Sequence, residues 1–425
     1  MTTMHKFFTS VAAVALSHFT TVTANADIIP QKIITTYSDI ALAKYEDSLT
    51  SARALNRAIN RLIAQPTDAN LVLARKAWIS ARAPYLQTEV FRFGNAIVDD
   101  WEGKVNAWPL DEGLIDYVAG DYGMESEENR LYTANIIANK KLNISGKHIN
   151  ATHITKLLLS DVLHEADGVE SNVATGYHAI EFLLWGQDLN GSKAGAGNRP
   201  ATDFDPKNCT GGNCDRRVRY LKVVTELLID DLDWMVKQWT SNGEARKTLM
   251  AKNTVNAYTA IFTGMGSLSY GELAGERMKL GLLLHDSEEE HDCFADNTHN
   301  SHYYNAIGIQ NVYLGRYKRI DGSIVIGASL SDLVKTVDNE IDSRLRTALS
   351  KTINKFEILV ARAETTEAYD QMIAEGNAAG NKTVQSAIDS LLMQTKYIKR
   401  AAAALNLKRI QFAGSNSLDS PLDIE

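Results

Sequence analysis

Apolar residues recur every three or four positions along most of this chain, which is the spacing of one buried face of an α-helix. The first such segment covers residues 33–64, where Ile40, Leu49 and Leu62 fall on the apolar side. Pro66 follows this segment, and a proline inside a helix removes a backbone hydrogen bond. We therefore predict a long first helix that ends shortly before Pro66.

A second helix is predicted from Thr67 or Asp68, either of which can cap it, toward Gly94, with a kink at Pro84. Later helical segments are predicted at residues 128–142, 151–165, 176–185, 215–239, 243–263, 265–285, 329–362 and 383–406. The chain has only seven prolines, and strand-like alternation between turn signals is scarce. Together these patterns predict an all-α fold.

A loop-like segment interrupts the helical pattern near the middle of the chain. Residues 190–200 are rich in glycine and asparagine, and the loop continues to Pro206. We therefore predict two domains, residues 27–205 and residues 206–425, each with roughly four principal helices. Helices joined by short loops form antiparallel bundles. We expect two bundles of the four-helix-bundle type packed side by side, with a cleft between them.

Residues 1–26 have the features of a secretory signal peptide. Lys6 is the only charged residue before Asp27, an apolar run covers residues 11–16, and Ala24-Asn25-Ala26 is a cleavage site of the A-x-A type. The apolar run is too short to span a bilayer. We therefore expect an exported protein, either periplasmic or associated with the outer membrane in the cell envelope, without a transmembrane span.

Composition and cysteine usage narrow the function classes. The formal net charge of −8 argues against nucleic-acid binding, and a hydrophobic content of 44% is too low for a polytopic membrane protein. Cys209 and Cys214 bracket a short flexible loop, so we expect a local disulfide in an oxidising compartment. A metal site is the alternative, but no second pair of cysteines or histidines accompanies them. Cys293 is expected to be a buried free thiol.

The candidate chemistry centres on the short helix 176–185. Thr175 can cap its start, and Gly186 can stop it. His178 and Glu181 share one face, while large apolar residues cover the others, so the helix is expected to be buried. A buried titratable pair must be hydrogen-bonded, ion-paired or metal-bound. The simplest interpretation is a pair that satisfies itself, and a metal site is the alternative.

A second histidine cluster follows in the C-terminal half. Residues 288–290 are three consecutive glutamates, which most often form a solvated helix face. His291 comes next, and His299 and His302 have the i, i+3 spacing of a secondary metal site if that segment is helical.

Several blocks of the sequence, taken in order, resemble the imelysin family of bacterial envelope proteins. The central block is Gly176-x-His178-x-x-Glu181, and the others are Ala81 to Tyr85, Phe91 to Phe93, Trp108 to Glu112, Gly186 to Leu189, Gly271 to Met278 and Glu290 to Phe294. Together they cover most of residues 30–405. The resemblance implies two helical bundles, with the Gly-x-His-x-x-Glu helix facing the region between them. It also implies a link to iron uptake or iron-regulated expression.

The resemblance further implies that His178 and Glu181 are metal ligands. Imidazole and carboxylate suit iron and zinc, and helix-bundle di-iron proteins add carboxylates from facing helices. Here those would come first from Glu89, unless Arg92 holds it, and then from Asp111 or Glu112. The expected metal ligands are therefore His178, Glu181, Glu89 and Glu112. The residues expected to bind a ligand, all from the matching blocks, are Arg92, Asp111, Glu272 and Arg277.

Three functions remain open at this point. The first is an envelope protein that binds a metal ion or small ligand between the bundles, in iron acquisition or iron-regulated function, with an iron-uptake protein as partner. The second is a metal-dependent peptidase, which the insulin-cleaving member of the family implies, although the zincin pattern His-Glu-x-x-His is absent. The third is a helical interaction protein with a structural His–Glu pair. No organic cofactor is expected.

Overall fold

A computed structural model describes residues 30–123, 126–127, 129–407 and 410–424. The predicted signal peptide lies outside the described residues. The helices are α1 (Pro30–Ala64), α2 (Asp68–Leu86), α3 (Ala96–Asn106), α4 (Glu112–Ile115), α5 (Gly176–Trp185), α6 (Cys214–Trp239), α7 (Glu244–Ala251), α8 (Thr254–Ser267), α9 (Leu280–Leu284), α10 (Thr298–Leu314), α11 (Leu330–Val337), α12 (Asn339–Thr365), α13 (Tyr369–Ile373), α14 (Ala378–Ala404) and α15 (Asn416–Asp419). In the described chain the only strands form two antiparallel hairpins, β1 (Lys141–Ile144) with β2 (Lys147–Asn150) and β3 (Arg316–Lys318) with β4 (Ile324–Ile326). The predicted all-α class is confirmed.

The first bundle consists of α1, α2, α5 and α6. Helix α1 packs along both α2 and α6, and α5 contacts α2 and α6 from the other side. Thr67 caps α2, as expected, because its side chain accepts a hydrogen bond from the N–H of Asn70. Ile40, Leu55 and Trp78 are among the fully buried residues of the shared core.

The second bundle is built around a long helical rod. Helix α8 continues through a π-helical segment, Leu268–Lys279, directly into α9. This rod packs with α10 and α14, and α12 packs against both α10 and α14. Helix α10 also contacts α2, so it joins the two bundles. The wider π-helical turn changes the direction of the side chains that follow it, and such turns often occur at functional sites.

The helix that follows the predicted domain boundary belongs with the first bundle. Helix α6 begins at Cys214, after the boundary at residues 205/206, but packs on α1 and α5. Its apolar face shares one continuous core with them, which includes Leu221, Leu228 and Met235. These contacts do not test where one domain ends and the next begins, so the division of the chain at 205/206 stays a prediction.

The segment between α4 and α5 differs most from the predicted helices. Residues 141–150 form a hairpin, because Leu142 and Ile144 alternate with exposed residues, and Ser145 and Gly146 both take positive φ angles, 49° and 75°. Two consecutive positive φ angles are typical of a tight hairpin turn. Helix α2 also ends earlier than expected, at Leu86, soon after Pro84. No helix in the described part of the chain is long and apolar enough to cross a lipid bilayer.

Candidate metal centre

Helix α5 starts at a position that only glycine fits. Gly176 has a φ of +80°, and a Cβ there would lie 2.5 Å from the carbonyl oxygen of Val105 in α3. Thr175 precedes the helix as predicted, but its hydroxyl donates to the carbonyl oxygen of Lys104 (2.9 Å) and does not cap it. Gly186, with a φ of +73°, ends the helix. The close approach to α3 fixes the position of His178 two residues later.

His178 and Glu181 form a direct pair inside the protein. Nδ1 of His178 lies 2.9 Å from Oε2 of Glu181, and both side chains are fully buried. The other carboxylate oxygen of Glu181 accepts from the backbone N–H of Ala295 (3.0 Å). Nε2 of His178 has no hydrogen-bond partner in the described structure. We assign the Nδ1–H tautomer, because it donates to Glu181 and leaves the lone pair of Nε2 free.

The turn before α10 brings two more ligand-type side chains to His178. The ligand atoms of His178, His291 and Asp292 all lie within 4.8 Å of one another, and all three residues are buried. The imidazole rings of His178 and His291 meet edge to face, with centroids 4.9 Å apart. In the described part of the chain this is the one group of histidine, cysteine and acidic residues close enough to hold a metal.

Arg82 of α2 holds Asp292 in place. Nη2 of Arg82 donates to one carboxylate oxygen (2.6 Å) and its Nε to the other (3.2 Å). Nη1 of Arg82 donates to the amide oxygen of Asn106 (2.6 Å). Ser301 and Asn297 donate further hydrogen bonds to Asp292, at 2.6 Å and 2.8 Å. Side chains of three residues therefore hold the carboxylate of Asp292.

Burial determines the protonation of the group. Burial, helped by the charge of Arg82, lowers the pKa of His178 well below its ordinary value, and burial raises the pKa of Glu181 well above its own. Burial also lowers the pKa of His291. Burial alone would raise the pKa of Asp292, but Arg82 outweighs it and lowers the value to about 2. Both imidazoles are therefore neutral, and Asp292 is ionised, at neutral pH.

An acidic cavity of about 550 Å³ opens next to this group. His291 and Trp108 line it, and the ring centroids of Trp108 and His178 are 5.0 Å apart. Two arginines, Arg92 and Arg277, are outnumbered by the acidic lining residues, which are Asp99, Asp100, Glu102, Glu165, Glu170, Glu272, Glu276 and Glu289. The excess of negative charge favours cations in this cavity.

Four of the predicted site residues meet at one side of the cavity, apart from His178. Arg277 donates to Glu89 (2.7 Å) and to Glu272 (2.7 Å and 2.9 Å), and also to Asn305 (2.9 Å). Arg92 donates weakly to Glu272 (3.4 Å). Glu89 is therefore held by Arg277 and is not part of the group around His178.

The other two predicted residues lie at a different place. Asp111 accepts hydrogen bonds from Ser171 (2.7 Å) and from Asn129, so its carboxylate secures two loops. Glu112 lines a small crevice on the far side of the 290–294 turn, together with Glu290. Neither carboxylate belongs to the His178 group.

Sequence reasoning missed His291 and Asp292 as neighbours of His178. Their block was visible as a matching segment, but more than a hundred residues separate it from His178, so only the fold brings them together. The interpretation of residues 288–290 as a solvated face was wrong for Glu290, which is 1% exposed. His299 and His302 are buried in α10, outside the metal-type group.

The disulfide lies outside this group, whereas Cys293 directly follows Asp292 in the sequence. The sulfur atoms of Cys209 and Cys214 are 2.00 Å apart in a disulfide at the start of α6, and Cys293 is a buried free thiol.

Residues 41–398 match the family model described as imelysin. Among curated proteins, iron-regulated protein A of Synechococcus elongatus is 32% identical over 91 residues, which make up 21% of this chain and 26% of that protein. The chain thus matches about a quarter of the length of this relative. Among solved structures, an iron-regulated protein A precursor of Parabacteroides distasonis superposes with a TM-score of 0.61 at 20% identity. That superposition covers 88% of this chain and 94% of the other, and it establishes the fold.

Proposed function

This chain belongs to the imelysin family, and we propose that it is an iron-related protein of the cell envelope that binds a metal cation through His178, His291 and Asp292. The link to iron comes from the name of its curated relative, iron-regulated protein A. The envelope location comes from the predicted signal peptide and from the family resemblance. The metal site comes from the geometry of the described residues.

The observation that carries the proposal is the free Nε2 of His178. A fully buried imidazole nitrogen without a partner is costly in a structural pair. Metal-binding histidines usually donate their other ring N–H to a carboxylate, which orients the ring and raises its basicity. Glu181 has this role here, because one of its oxygens faces Nδ1 and the other accepts from Ala295. Glu181 is then a positioning residue and not a ligand.

The donor set fits an iron or zinc ion. Two imidazoles and one carboxylate suit both metals, and tetrahedral ligand atoms lie roughly 3.4 Å apart when each metal bond is about 2.1 Å. The observed limit of 4.8 Å requires a modest closing movement of the side chains. Arg82 neutralises Asp292, so the attraction for a cation comes mainly from the acidic cavity beside His291.

Metal titration of purified protein tests the proposal. We expect Fe²⁺, added without oxygen, and Zn²⁺ to bind to the wild type, and His178→Ala and His291→Ala to lose this binding with unchanged helical content. Glu181→Gln should weaken it by about 10–100-fold, as is usual for partners of ligating histidines. His164→Ala removes a partly buried histidine outside the group and should leave binding intact.

The opposite result has a clear meaning. If His178→Ala binds metal as well as the wild type but melts at a much lower temperature, then the His178–Glu181 pair is structural. In that case the loss of stability would reflect Glu181 left buried without its partner.

A metal-dependent peptidase is the second candidate, and one residue favours it. Glu102 lines the cavity with His291, and burial together with the charge of Glu89 raises its pKa to about 7. A carboxylate with that pKa suits a general base near neutral pH. Peptidase function predicts insulin cleavage that Glu102→Gln abolishes without loss of metal. Because His178 and Asp292 are closed off from solvent, we favour binding over hydrolysis.

A further inference from the structure

Some buried carboxylates outside the His178 group lack hydrogen-bond partners. Within the described ranges, every buried carboxylate oxygen without a hydrogen-bond partner belongs to Glu290, Asp296 or Asp370. Glu290 is 1% exposed and uses only Oε2, which accepts from Thr298 (2.7 Å). Asp370 is 3% exposed and lies beside the backbone amide of Gln371 without a well-formed hydrogen bond. Buried groups of this kind normally have a partner.

Two of these carboxylates face a small crevice between the 287–294 segment and α13. The crevice has a volume of about 10 Å³, which is room for about one water molecule or ion. Its acidic lining residues are Glu112, Asp188, Glu288, Glu290 and Asp370. Glu290, Asp370 and Glu112 form its interior, while Asp188 and Glu288 lie nearer the solvent. No lysine or arginine of the described chain lines it.

The carboxyl groups of this crevice therefore have no basic side chain among the residues that line it. Glu112 is already engaged by Tyr122 and Gln187. Glu290 and Asp370 are thus the two buried side chains with free oxygen atoms facing the space.

We propose that the crevice is a second cation site, in which Glu290 and Asp370 bind one hard divalent cation of the calcium class, with water completing its shell. Carboxylate oxygens without nitrogen or sulfur suit calcium, magnesium and manganese. No three crevice carboxylates come as close together as the His178 group does in the described structure. Calcium tolerates such spacing, because it takes six to eight oxygen ligands, including water, in flexible geometry.

The two sites share one turn of chain but differ in chemistry. Glu290 faces the crevice, whereas His291 and Asp292, next in sequence, face the nitrogen-containing group around His178. A cation in the crevice would connect this turn to α13 through Asp370. Removal of His178 should not affect it, so the two sites can be tested separately.

Calcium titration of the full chain after chelator treatment tests this second site. We expect Ca²⁺ to bind the wild type, to raise its melting temperature, and to bind at least ten-fold more weakly to Asp370→Asn and to Glu290→Gln. These substitutions keep the side-chain shape, and far-ultraviolet circular dichroism checks that each variant folds. Glu289→Gln is the matched control, because Glu289 is the adjacent glutamate but lines the larger cavity.

The outcomes separate the two proposals. His178→Ala should keep wild-type Ca²⁺ affinity even where it loses Fe²⁺ or Zn²⁺. The second site is refuted if Ca²⁺ added to the wild type produces no heat of binding and does not change its melting temperature. It is equally refuted if Asp370→Asn and Glu290→Gln bind Ca²⁺ with wild-type affinity. It is also refuted if Glu289→Gln loses binding equally, or if Mg²⁺ binds and Ca²⁺ does not.

Discussion

Two buried ionic clusters in this protein differ in whether their charges are balanced. Near the start of α6, Asp116 accepts from Arg199 (2.7 Å) and from Arg217 (2.6 Å and 3.0 Å), and Asp203 accepts from Arg199 (3.1 Å). All four side chains are at most 1% exposed, and the two aspartates face the two arginines. Among the described residues, the crevice at Glu290 is lined by acidic side chains and by no lysine or arginine.

This difference in charge balance indicates a structural role for the Asp116 cluster and a cation-binding role for the crevice. A balanced cluster compensates for the desolvation of its charges, so nothing further is needed to explain it. It ties the loop that follows α5, through Arg199, to α4 and α6, through Asp116 and Arg217. The unbalanced crevice and the free nitrogen of His178 have no such compensation within the described chain, and a cation supplies it in both proposals.

Asp116→Ala is the substitution that we expect to destabilise the balanced cluster most. It leaves Arg199 and Arg217 buried with one aspartate between them, so we expect a loss of about 3–5 kcal/mol in the free energy of unfolding. Urea denaturation measures it. Asp99→Ala is the control, because Asp99 pairs with Arg92 at the surface, with 47% of its side chain exposed, and exposed pairs contribute about 0–1 kcal/mol. Equal losses in the two variants would contradict the comparison.

Gly176→Ala tests the backbone that positions the free imidazole. Its φ of +80° strains any other residue by about 1–3 kcal/mol, and the added Cβ would also press on Val105 of α3. Gly168→Ala separates these effects, since Gly168 has a φ of +74° but nothing within 4 Å of its Cβ position. We expect Gly176→Ala to melt at a lower temperature than Gly168→Ala, and a smaller effect at Gly176 would refute the packing argument.

The helices were predictable because their apolar faces repeat over many turns. The segment 33–64 and helix α14 follow from periodicity alone, whereas the hairpin at 141–150 depends on two short strands and a Ser-Gly turn. Helix α10 was missed because its sequence, Thr298–Leu314, mixes histidine, asparagine and tyrosine without an apolar stripe. It lies between the bundles, where Ser301 donates to Asp292 and Asn305 donates to the carbonyl oxygen of Leu86 in α2.

Half of the candidate metal centre was predictable from local spacing. His178 and Glu181 share a helix face, so their contact follows from the sequence. The partnership of Arg82 with Asp292, and of His178 with His291, depends on how α2, α5 and the turn before α10 meet. Glu89 was expected at His178 as a carboxylate from a facing helix, but the π-helical segment supplies Arg277, which holds it.

Removal of the Cys209–Cys214 disulfide should have a smaller effect. The closed loop is short, so its loss costs at most about 2 kcal/mol in the chain-entropy model. The bonds from Arg217 to Asp116 also keep the start of α6 in place without it. Urea denaturation of the Cys209→Ser, Cys214→Ser double variant measures the cost. A loss as large as that of Asp116→Ala would indicate that the disulfide, and not the ionic cluster, secures this loop.

The smallest expected effect compares two glutamates of the acidic cavity. Burial and the charge of Glu89 raise the pKa of Glu102 to about 7, whereas Arg277 and Arg92 lower the pKa of Glu272 despite its burial. The raised folded-state pKa of Glu102 gives stability below the unfolded value of 4.5, and this stability is lost as pH rises through about 7. A lowered pKa gives stability above that unfolded value, which is lost on acidification.

Glu102→Gln and Glu272→Gln should therefore change stability with opposite signs. As pH rises from 5 to 8, the free energy of unfolding of Glu102→Gln should increase relative to wild type by on the order of 1 kcal/mol. The increase is this small because solvent in the cavity screens the repulsion that the substitution removes. Glu272→Gln should be less stable than wild type at pH 7, since it leaves Arg277 with Glu89 alone, and this deficit should vanish below the folded-state pKa of Glu272. Urea denaturation from pH 8 down to below the folded-state pKa of Glu272 measures both differences. Parallel pH profiles for the two variants would mean that the arginines do not distinguish these carboxylates, and the contrast between balanced and unbalanced charges would fail within this cavity.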